Sequence, residues 1–364
     1  MKRNIIKIFS FLLFIFQSAN LFADAQTNKE PKTDLAINFS SIASDSVKIE
    51  TGDSLHIPQS EFYYADNPRY TINGELPLRT TKIKPIPTLI LGGIYTGVFI
   101  AQHVGQMNTI WKDQTSFKFQ EDGIYALYVD KAGHFYGSCL SSYVMHESFL
   151  LAGFNPEASI WLGAGLGLGY STYVEILDGF GKSWGFSPSD FYCDVLGASY
   201  SVAQYYFPVL QNFTPKFSYY PAKWYGERQR VPSQIFIDDY SSQNIWMSIN
   251  VHNLLPNTLK NYWPSWLQLS LGYTARNLCD PMAPEAKKYH YDYKTSEVCG
   301  DPKFMLALDY DFTKILPDGS PFWNWLRQSL NYFKFPSPTI EFSKSRTRFF
   351  LMYPFPIKIG GLNM

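Results

Sequence analysis

The chain has 364 residues with 31 basic and 31 acidic side chains, so its formal net charge is zero. Charged residues make up only 17%, against roughly 25% in soluble domains, while aromatics reach 18%. That combination excludes a disordered chain, removes the electrostatic footprint of a nucleic-acid binder, and suits a protein that meets a membrane interface. A mean hydropathy of −0.16 also argues against a bundle made mostly of long apolar spans.

The N-terminus reads as a secretory signal over residues 1–25. Lys2, Arg3 and Lys7 precede an apolar core from Ile8 to Phe16, and Ala23-Asp24-Ala25 supplies a small-x-small cleavage site. An uncleaved N-terminal anchor is the alternative. No Cys stands at the cleavage site, so the segment is not a lipoprotein signal. The expected location is outside the cytoplasm, at the outer membrane or the periplasmic face of the envelope. There, Cys279 and Cys299 bracket a polar loop and are candidates for a disulfide. Cys139 and Cys193 lie in apolar helical context and read as buried small hydrophobes.

Three regions follow. Residues 26–85 form a polar, mostly irregular leader, with short ordered pieces expected near Phe62-Tyr63-Tyr64. Residues 86–210 form an apolar helical module of about four helices. The first runs from Ile86 to Val104 without a charge; the others cover 121–151, 157–178 and 188–207. Ser187-Pro188-Ser189-Asp190 is a helix start, with Ser187 as N-cap and Asp190 answering the helix dipole. Residues 211–364 switch to period two. Apolar side chains alternate with others over 245–251, 267–273 and 304–312, more weakly over 339–343 and 347–353. A short amphipathic helix at 322–333 interrupts them. The fold class is therefore α+β: a helical bundle, then an antiparallel β-rich region with one apolar face. Five to seven strands are too few for a single-chain membrane barrel of eight, so a sheet packed on the helices comes first and a small partial barrel second.

Each of three apolar helices carries one polar stripe. Asp130 and His134 share a face that continues through Ser138 and Ser141. Ser171, Glu175, Asp178 and Lys182 form the second stripe, and Asp190, Asp194, Gly197 and Ser201 the third. Ionisable groups on apolar helices are expensive unless they meet partners, so the stripes should face one another, with Lys131 or Lys182 offsetting the carboxylates. Asp130, His134, Glu175 and Asp190 then suit acid–base chemistry or a divalent metal. The same stripes also describe interhelical ion pairs with no chemistry. The candidate polar pocket is Asp130, Lys131, His134, Glu175, Asp178, Ser187, Asp190 and Asp194. Gly163, Gly165, Gly167 and Gly169 lack the strand that a dinucleotide loop needs; they read as small-xxx-small packing pairs.

The order of blocks carries a resemblance. Asp130-Lys131-Ala132-Gly133-His134-Phe135, Glu175 to Phe180, Gly185 to Asp190 and Asp194 to Gly197 together resemble the domain of unknown function 2279, the YfiM-like predicted periplasmic lipoproteins, over about residues 120–208. More distantly the order resembles VanZ-type membrane proteins, although Asp194 stands where those usually have Asn. The chain also lacks the lipobox Cys of the lipoproteins. The resemblance implies an envelope location and supplies no reaction. Two roles remain open: a structural or ligand-binding envelope protein whose partner is a membrane lipid or envelope glycan, or an enzyme that modifies one through the carboxylate/His pocket. No nucleic-acid partner is expected, no protein interface is signalled, and no cofactor is predicted apart from the candidate divalent metal.

Overall fold

Proline opens three of the four long helices, where its fixed φ presets the first turn and its missing N–H is not needed. These are α1 (Pro85–Met107), α3 (Pro156–Asp178) and α4 (Pro188–Tyr206). Two also carry a side-chain cap: Asn155 accepts from the Ala158 N–H and Ser187 from the Asp190 N–H. Helix α2 (Val129–Leu151) begins differently. It follows three consecutive left-handed residues, Ala126 (φ 48°), Leu127 (φ 53°) and Tyr128 (φ 67°).

The computed structural model describes residues 55–225, 239–278, 300–344, 346–359 and 362–363. The expected signal over 1–25, the first part of the leader, and the Cys279–Cys299 pair lie outside the described residues. The described part of the leader holds a short hairpin, β1 (Tyr63–Tyr64) with β2 (Asn67–Pro68). Arg69, just beyond it, forms an ion pair with the buried Glu147 of α2.

Helices α2, α3 and α4 pack closely because small residues sit at their contacts. A Cβ on Gly163 would lie 2.6 Å from the His146 amide nitrogen, and one on Gly197 would lie 2.3 Å from the Phe135 carbonyl oxygen. Gly167 also faces α2, whereas Gly165 and Gly169 face open space. Only one of the two expected glycine pairs therefore does the packing. Cys139 is buried in this interface and donates to the Gly197 carbonyl; neither it nor Cys193 is in a disulfide.

Six antiparallel strands form one sheet in the order β3-β4-β5-β6-β7-β8. They are β3 (Phe213–Tyr219), β4 (Gln243–Ile249), β5 (Leu267–Arg276), β6 (Asp301–Tyr310), β7 (Thr339–Phe342) and β8 (Thr347–Phe350). Single-turn helices α5 (Val251–Leu254), α6 (Asn257–Lys260) and α7 (Phe312–Ile315), and the longer α8 (Pro321–Ser329), fill the connections. The fold is α+β, and among the described residues no barrel closes. The sheet is nonetheless strongly curled. Lys216 on β3 reaches Asp309 on β6 at 3.1 Å. In a flat sheet those strands would lie about 14 Å apart.

The alternation predicted one apolar face packed on the helices, and the helices cover part of it; the opposite face is the more polar one. That concave, buried face carries Lys216, Ser248, Gln268, Ser270, Asp309 and Glu341, around a smaller apolar cluster that includes Trp246, Met305 and Phe350. Many of these polar groups have partners on the same face. Gln268 accepts from Lys216 and Ser248, Arg276 donates to Asn244, and Lys303 pairs with Glu341 at 3.4 Å. The convex face is apolar. Over β3 to β5 it is covered by the helical module: Tyr136 stacks on Phe217, and Tyr273 donates to the Leu127 carbonyl. Over β5 to β8 it is bare, with Leu271, Phe304, Leu306, Ile340 and Phe342 exposed. Strand β3, with Pro215 inside it, escaped the sequence reading.

Candidate functional site

The first turns of α2 and α4 meet the end of α3, and their charged side chains converge. The left-handed residues at 126–128 fold the chain back so that Asp122 reaches Lys131. Conformations of this kind cost non-glycine residues about 1–2 kcal/mol each. Here they are held by the Tyr273 bond and by Tyr125 and Val129, which pack with Ala275 and Leu278. Strain at such a point is characteristic of a site whose geometry is imposed by its surroundings.

Lys131 is the cationic hub. Its Nζ lies 2.5 Å from Asp122 Oδ1, 2.7 Å from Asp130 Oδ2 and 2.5 Å from Asp190 Oδ1. His134 is the second cation. Its Nδ1 donates to Asp194 at 3.3 Å, which orients the ring. Its Nε2 stands 3.7 Å from Asp130, 3.8 Å from Glu175 and 3.7 Å from Asp190. Glu175 accepts from the Ser187 N–H at 3.1 Å, and the Ser187 hydroxyl donates to Asp122 at 2.6 Å. Tyr240, from outside the helical module, donates to Asp130 at 2.6 Å. The imidazole is the part that reaches solvent: the His134 side chain is 23% exposed, against 6% or less for Asp130, Glu175, Asp190 and Asp194.

Protonation follows from these contacts. Burial pushes the Glu175 carboxyl up to about 8, although the His134 charge pulls the other way. Burial and the Asp130 charge also raise Asp190. Burial would raise Asp130 as well, but Lys131, His134 and the Tyr240 hydroxyl outweigh it and hold that carboxylate low. His134 is lowered by burial and raised further by Asp194, Asp130 and Asp190, so it ends well above its ordinary value. Near neutral pH the cluster thus places a carboxylate and an imidazolium beside carboxyls that keep their protons. Carboxyls driven apart in this way mark acid–base sites, and they also occur in structural ion-pair networks.

Seven of the eight candidate residues come together: Asp130, Lys131, His134, Glu175, Ser187, Asp190 and Asp194. Asp178 does not join them; it accepts a bond of 2.5 Å from the Trp111 indole. Lys182, the other candidate cation, is also elsewhere, its carbonyl accepting from Lys118. Sequence reasoning missed two members. Asp122 precedes α2 on no helical stripe, although its place beside Gly123 is a turn signal; Tyr240 gives no signal at all. The four proposed metal ligands, Asp130, His134, Glu175 and Asp190, all lie around His134 Nε2. Two sets, Asp130–His134–Asp190 and His134–Glu175–Asp194, each bring ligand atoms within 4.8 Å of one another. A cavity of about 550 Å³ lies apart from the cluster, lined by Tyr64, Arg69, Tyr143, His146 and others, and none of the cluster residues lines it.

No curated protein and no solved structure matches the chain. Residues 118–206, which contain every member of the cluster except Tyr240, match the family DUF2279, described as a predicted periplasmic lipoprotein.

Proposed function

We propose that this chain is a bacterial cell-envelope protein, associated with the outer membrane, whose helical module takes up a polar group of an envelope lipid or glycan at His134 and exchanges a proton with it. The observation that carries the reading is the setting of His134. Its Nδ1 is held by Asp194, its Nε2 faces three carboxyl oxygens, and it is the most exposed charged side chain of the cluster, at 23% against 15% for Asp122 and 9% for Lys131. A ligand entering the cluster therefore meets an oriented imidazole with proton-bearing carboxyls behind it. The envelope location is supported by the periplasmic description of the matched family and by the N-terminal pattern of basic, apolar and small residues. The test incubates the purified chain with a total envelope lipid extract and, separately, with envelope glycan, and follows products by mass spectrometry. Product formation that falls at least a hundredfold in His134→Gln and Glu175→Gln supports the reading. Folded variants that turn over the same material at the parent's rate, or a parent that neither binds nor converts any, sink it.

A divalent cation is the second reading. Separations of 3.7–3.8 Å between His134 Nε2 and three carboxyl oxygens are close to the about 3.4 Å between ligands of a tetrahedral ion. Asp194 on the far ring nitrogen matches the carboxylate that commonly backs a metal-bound histidine. Titration calorimetry with Zn²⁺ decides it: stoichiometric binding that is lost in His134→Gln makes the cluster a metal centre, and no binding removes the ion.

A further inference from the structure

The sheet turns much of its polarity inward. Charged and amide side chains surround a small apolar cluster on its concave face, and its convex face over β5 to β8 carries two cross-strand apolar rows. One row is Leu271–Leu306–Ile340–Phe349, and the other is Phe304–Phe342, next to Tyr273 under the helical module. Phe304 is 61% exposed and Leu271 53%. A sheet that faces water on one side normally turns its apolar residues to the core. Strands with apolar side chains outward and polar ones inward are the pattern of sheets surrounded by hydrocarbon.

Two further observations agree. Exposed aromatic residues stand at both ends of the strands: Tyr262 and Trp266 precede β5, and Trp224 follows β3 at the opposite end of the sheet. Between them β5 spans about 30 Å, and once tilted that length fits an apolar band roughly 25 Å tall between aromatic girdles. Helix α1 has no charged residue, runs about 34 Å, and leaves Ile86, Leu89 and Val98 exposed. That length matches the roughly 30 Å hydrocarbon core of a bilayer.

We infer that the convex face of β5 to β8 contacts the acyl chains of a lipid bilayer. A patch for a protein partner would leave the far side of the sheet apolar. Here the ion pairs Lys216–Asp309 and Lys303–Glu341 occupy the side that an aqueous core would fill with hydrocarbon. The inference rests on the outer-membrane reading above and adds the surface that makes the contact.

The experiment uses the full chain in vesicles of phosphatidylethanolamine and phosphatidylglycerol doped with a phospholipid that carries a diazirine in mid-chain. After irradiation, adducts are mapped by mass spectrometry. The expected result is labelling at Leu271, Phe304, Leu306, Ile340 and Phe342, at least fivefold above the inward neighbours Met305 and Ala307. Equal labelling of both faces, labelling confined to α1, or cross-links between copies at these positions in place of lipid each overturn the inference. A chain that stays with membranes while its strands go unlabelled refutes the sheet contact alone. A chain recovered away from membranes refutes the outer-membrane reading as well. No variant is needed, so failure to fold does not enter.

Discussion

Lys131 on α2 and Asp190 on α4 meet at 2.5 Å, and the same ammonium holds Asp122 and Asp130. One cation thus ties together the beginnings of two helices and the turn before the first. Replacing it with Met strands three carboxyl groups in a buried place. Removing one partner of a buried pair costs about 3–5 kcal/mol. Lys131→Met is expected to lower the unfolding free energy measured in urea by that amount, and adding Asp190→Asn should restore part of it. A variant as stable as the parent would show that the cluster is hydrated enough to need no cation.

Stability should fall as pH rises. The folded chain keeps the Glu175 proton up to about 8, whereas the unfolded chain releases it near the ordinary value of 4.5. The raised group contributes fully below 4.5, and its contribution is lost progressively as pH rises to about 8, at up to about 1.4 kcal/mol per pH unit. His134, also raised, adds a slope of the same sign above its own unfolded value. Urea unfolding at pH 5, 7 and 9 should show the decline, and Glu175→Gln, which cannot ionise, should make it shallower between 5 and 8, leaving the share of His134 and Asp190. A parallel pair of curves would mean that Glu175 titrates normally in the folded chain.

The alternating glycines of α3 should respond oppositely to alanine. At Gly163 the added methyl meets the α2 backbone at 2.6 Å, and overpacking of that kind costs about 1–3 kcal/mol. At Gly165 nothing lies within 4 Å, so alanine should gain up to about 1 kcal/mol from its better helix propensity. Thermal melts of the two variants test the assignment of faces; equal shifts would contradict it.

Tyr128 is exposed and left-handed at φ 67°. Tyr128→Gly should stabilise the chain by about 1 kcal/mol, because glycine adopts this conformation without the steric penalty. The gain should appear as a higher urea midpoint. A loss instead would mean that the aromatic ring makes a contact worth more than the strain.

Much of the helical module is legible in sequence because its signals are local. Ser187 and Pro188 announce their own helix start, and a polar side chain on an apolar helix announces that it needs a partner. Which cation answers is not local, so Lys131 and Lys182 looked alike until the turn at 126–128 brought Asp122 across. Tyr240 comes from another part of the chain and could be found only in three dimensions. The sheet is legible in part. Alternation in 267–273 and 304–312 fixes the period of a strand but not which face is buried. The usual inference that apolar means inward assumes water outside. The polar partners that make the reverse arrangement possible, such as Lys216 with Asp309, lie 93 positions apart.

That pair has a consequence for how the strands find their alignment. A side chain changes face with every step along a strand, so a slip of one residue in β3 would send Lys216 outward and bring Phe217 inside. Asp309 would then be left without that ammonium in a closed interior. Because the contact spans β3, β4, β5 and β6, it is satisfied only when three successive strand pairings are all in step. A single ionic contact therefore proofreads the register of two-thirds of the sheet, a task that interchangeable hydrocarbon side chains perform poorly.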